Sequence, residues 1–166
     1  MKVDVDIKGL EGVLETLKSL PPELVSKRGG PVLAALRKGA RVIDAQRKAN
    51  LKAVTANTTD EGKRESTGHL MKQLVVSRGK PPHDGKGERV LLRVRRKAYP
   101  DRNGKTVTSL AAANLLEYGS STQPAEPWIR PAFQSRAQEA INVTRDELLR
   151  RIDVIVRKLA AQNRAK

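Results

Sequence analysis

The chain has 166 residues, about one domain's length, with 38% hydrophobic content and only four aromatic side chains. Thirty-three Lys and Arg against eighteen Asp and Glu leave a formal charge of +15, which points to polyanions or acidic surfaces as partners. With no cysteine, disulfides, thiolate nucleophiles, thiolate zinc sites and iron–sulfur clusters are excluded; His69 and His83 share no helical face, so no metal site is expected.

Val3, Val5 and Ile7 alternate with Asp4 and Asp6, the period of a half-buried strand, and Gly9 ends it. Leu10, Val13, Leu14, Leu17 and Leu20 then follow helical spacing up to Pro21-Pro22. A second helical stretch starts near Glu23, is punctuated by Gly29-Gly30 and resumes with Pro31, a residue favoured in a first turn. Val32, Leu33, Leu36, Ala40, Ile43, Arg47 and Leu51 form its stripe, with Arg37, Lys38, Arg41, Lys48 and Lys52 on the other side: a long basic amphipathic helix. The polar run from Thr55 to Ser66 is expected to be an exposed loop.

Thr67-Gly68-His69-Leu70-Met71-Lys72-Gln73 predicts a capped helical turn leading into an apolar strand at Leu74-Val75-Val76. Pro81-Pro82 and three glycines between Arg78 and Gly87 are turn chemistry, and Arg89 to Arg96 alternates as a strand, so the two strands should pair as an antiparallel ribbon. Asp101-Arg102-Asn103-Gly104 is another turn. Leu110 to Tyr118 is a short helix ending at Gly119, and a long C-terminal helix of about thirty residues runs from Ile129 or Pro131 to about Ala161. Its expected stripe includes Phe133, Ala137, Ala140, Ile141, Leu148, Ile152 and Val156. The expected fold class is α+β: a single domain over residues 1–166, with a small antiparallel sheet packed against the central basic helix and the C-terminal helix. Flexible loops are expected near 52–66 and 79–88, with a frayed C-terminal tail.

Catalytic motifs are missing: no phosphate-cradling glycine loop, no nucleophile elbow, no facing carboxylate pair, and so no enzyme is expected. Basic residues concentrate between Arg78 and Lys105, ten Lys and Arg against Asp84, Glu88 and Asp101, and within them Arg93, Arg95 and Arg96 could face a phosphate backbone or an acidic neighbour. The alternative is a solvated strand whose charge protects a sheet edge. Three of the four aromatics, Tyr118, Trp128 and Phe133, fall between Leu110 and Phe133, and such large rings grouped in one turn suggest a shared anchor fixing where the last helix begins. Pro127 and Pro131 stiffen that approach, and Arg130 between them is expected to be an orienting cation.

Glu117-Tyr118-Gly119-Ser120, a short polar spacer, and Pro124-Ala125-Glu126-Pro127-Trp128-Ile129-Arg130-Pro131-Ala132-Phe133 before a long helix resemble the signature of the tail-completion family of long-tailed bacteriophages, the head–tail joining or minor tail protein Z-like proteins. Thr67-Gly68-His69-Leu70 resembles that family's turn into a strand, and the basic helix its central helix. The insertion from Thr55 to Ser66 is longer than the family's, and Ser120 replaces a common threonine. The resemblance implies a structural virion protein of the neck, assembled in the host cytoplasm into a closed ring, expected to hold six copies. It would dock to head connector or head-closure proteins and to tail terminator or tail tube proteins around a DNA channel, with no cofactor, metal or membrane. A tail-terminator ring and a non-specific double-stranded DNA-binding protein are the alternatives.

Overall fold

The computed structural model describes residues 30–56, 68–80, 87–100 and 104–164. The expected N-terminal strand and first helix, most of the Thr55–Ser66 run, His83 and the 101–103 turn lie outside them. The class is α+β. In chain order the elements are α1 (Gly30–Ala56), α2 (His69–Lys72), β1 (Leu74–Arg78), β2 (Val90–Val94), β3 (Ala98–Pro100), β4 (Thr106–Thr108), α3 (Ser109–Tyr118) and α4 (Ile129–Arg164).

Two compact units divide the chain: Val42–Ser77 with Leu92–Arg136 in one, and Arg78–Leu91 with Ala137–Lys166 and the chain up to Arg41 in the other. The first has a core of Leu51, Leu74, Ala113 and Trp128, flanked by Val54, Leu70, Met71, Val94, Leu116 and Ile129. β1 and β2 pair as the ribbon that the alternation predicts. Arg95 N–H donates to Gln73 O (2.9 Å) and Gly79 N–H to Arg89 O (2.8 Å), which fixes the strands as antiparallel. Along β2, Val90, Leu92 and Val94 are half-buried while Leu91 and Arg93 face out. A second ribbon, β3 with β4, was not expected; it is antiparallel, with Tyr99 opposite Val107.

α1 runs to Ala56, past the expected loop start, and Thr55 Oγ1 donates back to Leu51 O (2.9 Å) in its last turn. Its inner stripe contains one cation: Arg47 is 1% exposed. Arg47 Nε donates to Asp44 Oδ1 (2.7 Å) and its Nη2 to Val75 O (3.2 Å), so the guanidinium ties α1 to β1. Burial pushes the Asp44 carboxyl up, but Lys48 and Arg47 outweigh it and leave it below the usual range.

In the other unit, α1 and α4 approach closely at Gly39. A Cβ there would fall 2.5 Å from Ala140 O and on top of Thr144 Oγ1, which is itself engaged with Ala140 O (2.7 Å). Ala137, Ala140 and Leu148 are buried along α4 as its period requires. Of the other expected stripe members, Ile141 and Ile152 are half-buried, whereas Phe133 is 42% and Val156 49% exposed. At 36 residues, α4 is about 54 Å long.

Gly39→Ala should lower stability despite alanine's better helix propensity. Overpacking against a backbone carbonyl costs about 1–3 kcal/mol, more than the ~1 kcal/mol gained from propensity. Urea titration followed by circular dichroism checks the sign; an unchanged or raised midpoint would contradict the close approach.

Candidate functional site

The stretch that carries the family resemblance folds as a corner between α3 and α4. Thr108 opens α3 as its N-cap, its hydroxyl accepting from Ala111 N–H (3.2 Å). Ser109, fully buried, accepts from Lys97 N–H (2.9 Å) and donates to Arg95 O (2.6 Å), fastening the helix to the end of β2. Gly119 ends the helix at φ +74°, its N–H returning to Leu115 O (2.9 Å). A Cβ at Gly119 would meet Ala125 N and Gln123 O at 2.8 Å, both backbone, so this turn closes only on glycine.

The turn delivers the Glu117 carboxylate, 2% exposed, to the start of α4. Trp128 N–H and Ile129 N–H both donate to Oε2 at 2.8 Å, and Arg130 N–H to Oε1 at 3.1 Å. The next residue is Pro131, which has no N–H to satisfy. One side chain thus receives every consecutive donor of the helix start, where the macrodipole also favours an anion. Arg130 folds back, Nε to Glu117 Oε1 (2.9 Å) and Nη2 to Glu117 O (3.0 Å), and its guanidinium lies 5.2 Å from the Tyr118 ring centroid. Burial raises the Glu117 carboxyl, but the N–H groups of Ile129 and Trp128 and the Arg130 side chain lower it further, and the net position is below the ordinary value.

The expectation that Tyr118, Trp128 and Phe133 form one buried anchor is corrected. Trp128 alone is inside, with no exposure, while Tyr118 is 67% and Phe133 42% exposed. The reason is helical phase. Tyr118 follows buried Glu117 by one position, and Phe133 follows buried Ala132 by one, so each is turned about 100° from the inward direction. Trp128 is held by its own backbone: its carbonyl accepts from Asn50 Nδ2 of α1 (3.1 Å). Asn50 was not singled out from sequence, although its place one turn after Arg47 in the inner stripe marked it as a polar group needing a partner. Pro127 is exposed at the corner's outer edge.

Arg93, Arg95 and Arg96 are all exposed, and no carboxylate pairs with them among the described residues. Tyr99, the one aromatic of this region, packs against His69 with ring centroids 4.4 Å apart and planes tilted by 39°. No cluster of potential metal ligands occurs among the described residues, and none of their helices is long and apolar enough to cross a membrane. Comparison of the chain with family models, curated proteins and solved structures finds no match.

Glu117→Gln should cost on the order of 3 kcal/mol, because the amide brings donors against donors in a buried place and leaves N–H groups unsatisfied. With its pKa depressed on folding, wild-type Glu117 contributes stability in full above the unfolded carboxylate pKa of about 4.3, and that contribution is lost as pH falls through the lower folded value. Urea midpoints measured from pH 6 to pH 3 should therefore converge between wild type and variant at the acid end; a gap constant with pH would refute the capping role.

Proposed function

We propose that this protein is a structural subunit of the neck of a long-tailed phage, assembling as a ring of six copies that completes the tail and meets the head connector around the DNA channel. One observation carries the assembly reading: α3 shows two leucines and a tyrosine to solvent. Its buried positions are Ser109, Ala113 and Glu117, whereas Leu110 is 39%, Leu115 41% and Tyr118 67% exposed. A helix whose buried polar residues serve internal joints while two of its three leucines point outward beside Asn114 is suited to burial against a neighbour. The Glu117 corner falls within the sequence that resembles the tail-completion family, and its hydrogen bonds and ion pair join two helices.

In this reading the partners are further copies of the chain, connector or head-closure proteins on one side and tail terminator or tail tube proteins on the other. Exposed Arg93, Arg95 and Arg96 face the DNA or an acidic neighbour. The same arginines favour a second reading, a non-specific duplex-binding protein that needs no ring.

Native mass spectrometry and light scattering over a concentration series separate the two. The ring reading expects a sixfold mass, or mass that grows with concentration, and its loss in a Leu115→Glu/Tyr118→Glu variant that retains the wild-type circular dichroism spectrum. A wild-type chain that stays monomeric at every concentration and binds duplex in that state would overturn it.

A further inference from the structure

In the unit containing Gly39, α1 and α4 line an open cleft of about 400 Å³ bounded by Ala34, Arg37, Lys38, Arg41, Glu147 and Arg151. Glu147 is its organiser. Its side chain is 2% exposed and accepts from Lys38 Nζ, Arg150 Nη2 and Arg151 Nε, each at 2.7 Å. Hydrogen bonds from Arg150 and Lys38, and from Arg151 against the opposing effect of burial, hold its carboxyl at about 2, so it is ionised at any working pH. Arg37 and Arg41, one turn apart on α1 and exposed, have no ion-pair partner among the described residues.

Five cations therefore gather around one carboxylate. A solvated basic face would hold them loosely, but here three are fixed by a buried anion, and the absence of a side chain at Gly39 brings their two helices together. Arg151 uses Nε on Glu147 and keeps its outer N–H groups; Arg37 and Arg41 keep all of theirs. Among the described residues the one apolar side chain in the lining is Ala34, so the cleft offers little surface to an apolar group. What the cleft can recognise is an anionic group with several acceptor oxygens, and planar guanidinium forks match phosphate in two-point geometry.

We propose that this cleft is a phosphate-binding site, with Arg37, Arg41 and Arg151 as ligands to the phosphate oxygens and Glu147 as the positioning residue that fixes Lys38, Arg150 and Arg151. The phosphate is either free or esterified in a nucleic-acid backbone, and the site does not depend on ring assembly.

The test uses the full chain with three probes: inorganic pyrophosphate by calorimetry, a short DNA duplex by fluorescence anisotropy at several salt concentrations, and polyglutamate as a carboxylate control. Arg37→Lys/Arg41→Lys keeps the charge but removes the forks, and should weaken phosphate binding about tenfold. Glu147→Gln makes the chain more positive, yet should also weaken binding, because the cations lose their fixed positions. Arg37→Ala/Arg41→Ala distinguishes the sources. If the duplex backbone is the ligand, the slope of log affinity against log salt falls by about two; if free phosphate is, pyrophosphate binding is lost and that slope is unchanged. The proposal is overturned if neither phosphate probe saturates, if the lysine variant binds like wild type, if Glu147→Gln binds more tightly, or if polyglutamate binds more strongly than both phosphate probes.

Discussion

The described fold turns on one carboxylate meeting one helix start. An α-helix begins with N–H groups that have no partner inside it, and burying that end next to a core demands an acceptor. Glu117 supplies two oxygens to the N–H groups of Trp128, Ile129 and Arg130, and Pro131 follows with none. This lets Trp128 enter the core beside Leu51, Leu74 and Ala113 without stranding its backbone. The carboxylate sits near the C-terminal end of α3, where the helix dipole opposes an anion, so its stability there comes from the opposite pole of α4 and from Arg130. Gly119 permits the whole arrangement by turning the chain sharply enough to bring the two helix ends together.

Ser109, Glu117, Arg47 and Glu147 share a logic. Each is a polar or charged side chain with almost no exposure, and each joins elements distant in sequence: β2 to α3, α3 to α4, α1 to β1, α4 to α1. A chain with four aromatics has few large rings for filling interiors. Hydrogen-bonded charge takes over part of the work of specifying how helices meet, since a buried ion deprived of its partner is expensive.

Elements governed by local rules were legible in the sequence. The stripe from Leu33 to Leu51, the period-2 alternation from Val90 to Val94 and the glycine stop at Gly119 each express a backbone preference within a few residues, and the helices and the first ribbon lie where those patterns place them. The second ribbon was not legible, because three-residue strands such as Ala98–Pro100 are too short to show a period. Neither was the phase of the aromatic rings: Tyr118 and Phe133 look like core residues by type, and only the knowledge that Glu117 and Ala132 point inward turns them out. Glu117 was marked by its motif, but its task was hidden, since its partners lie 11 to 13 residues further on. Lys38 and Glu147 are 109 residues apart, beyond any periodicity.

The outward leucines of α3 put the charge of the chain in a new light. A chain that displays Leu110, Leu115 and Tyr118 to water is exposed to indiscriminate sticking. Fifteen surplus positive charges impose a mutual repulsion between copies of the chain that acts at longer range than hydrophobic contact. On the proposed ring assembly, association would need a negatively charged template or ionic screening to lift that brake, and the same arginines and lysines would then govern both colloidal solubility and the timing of assembly.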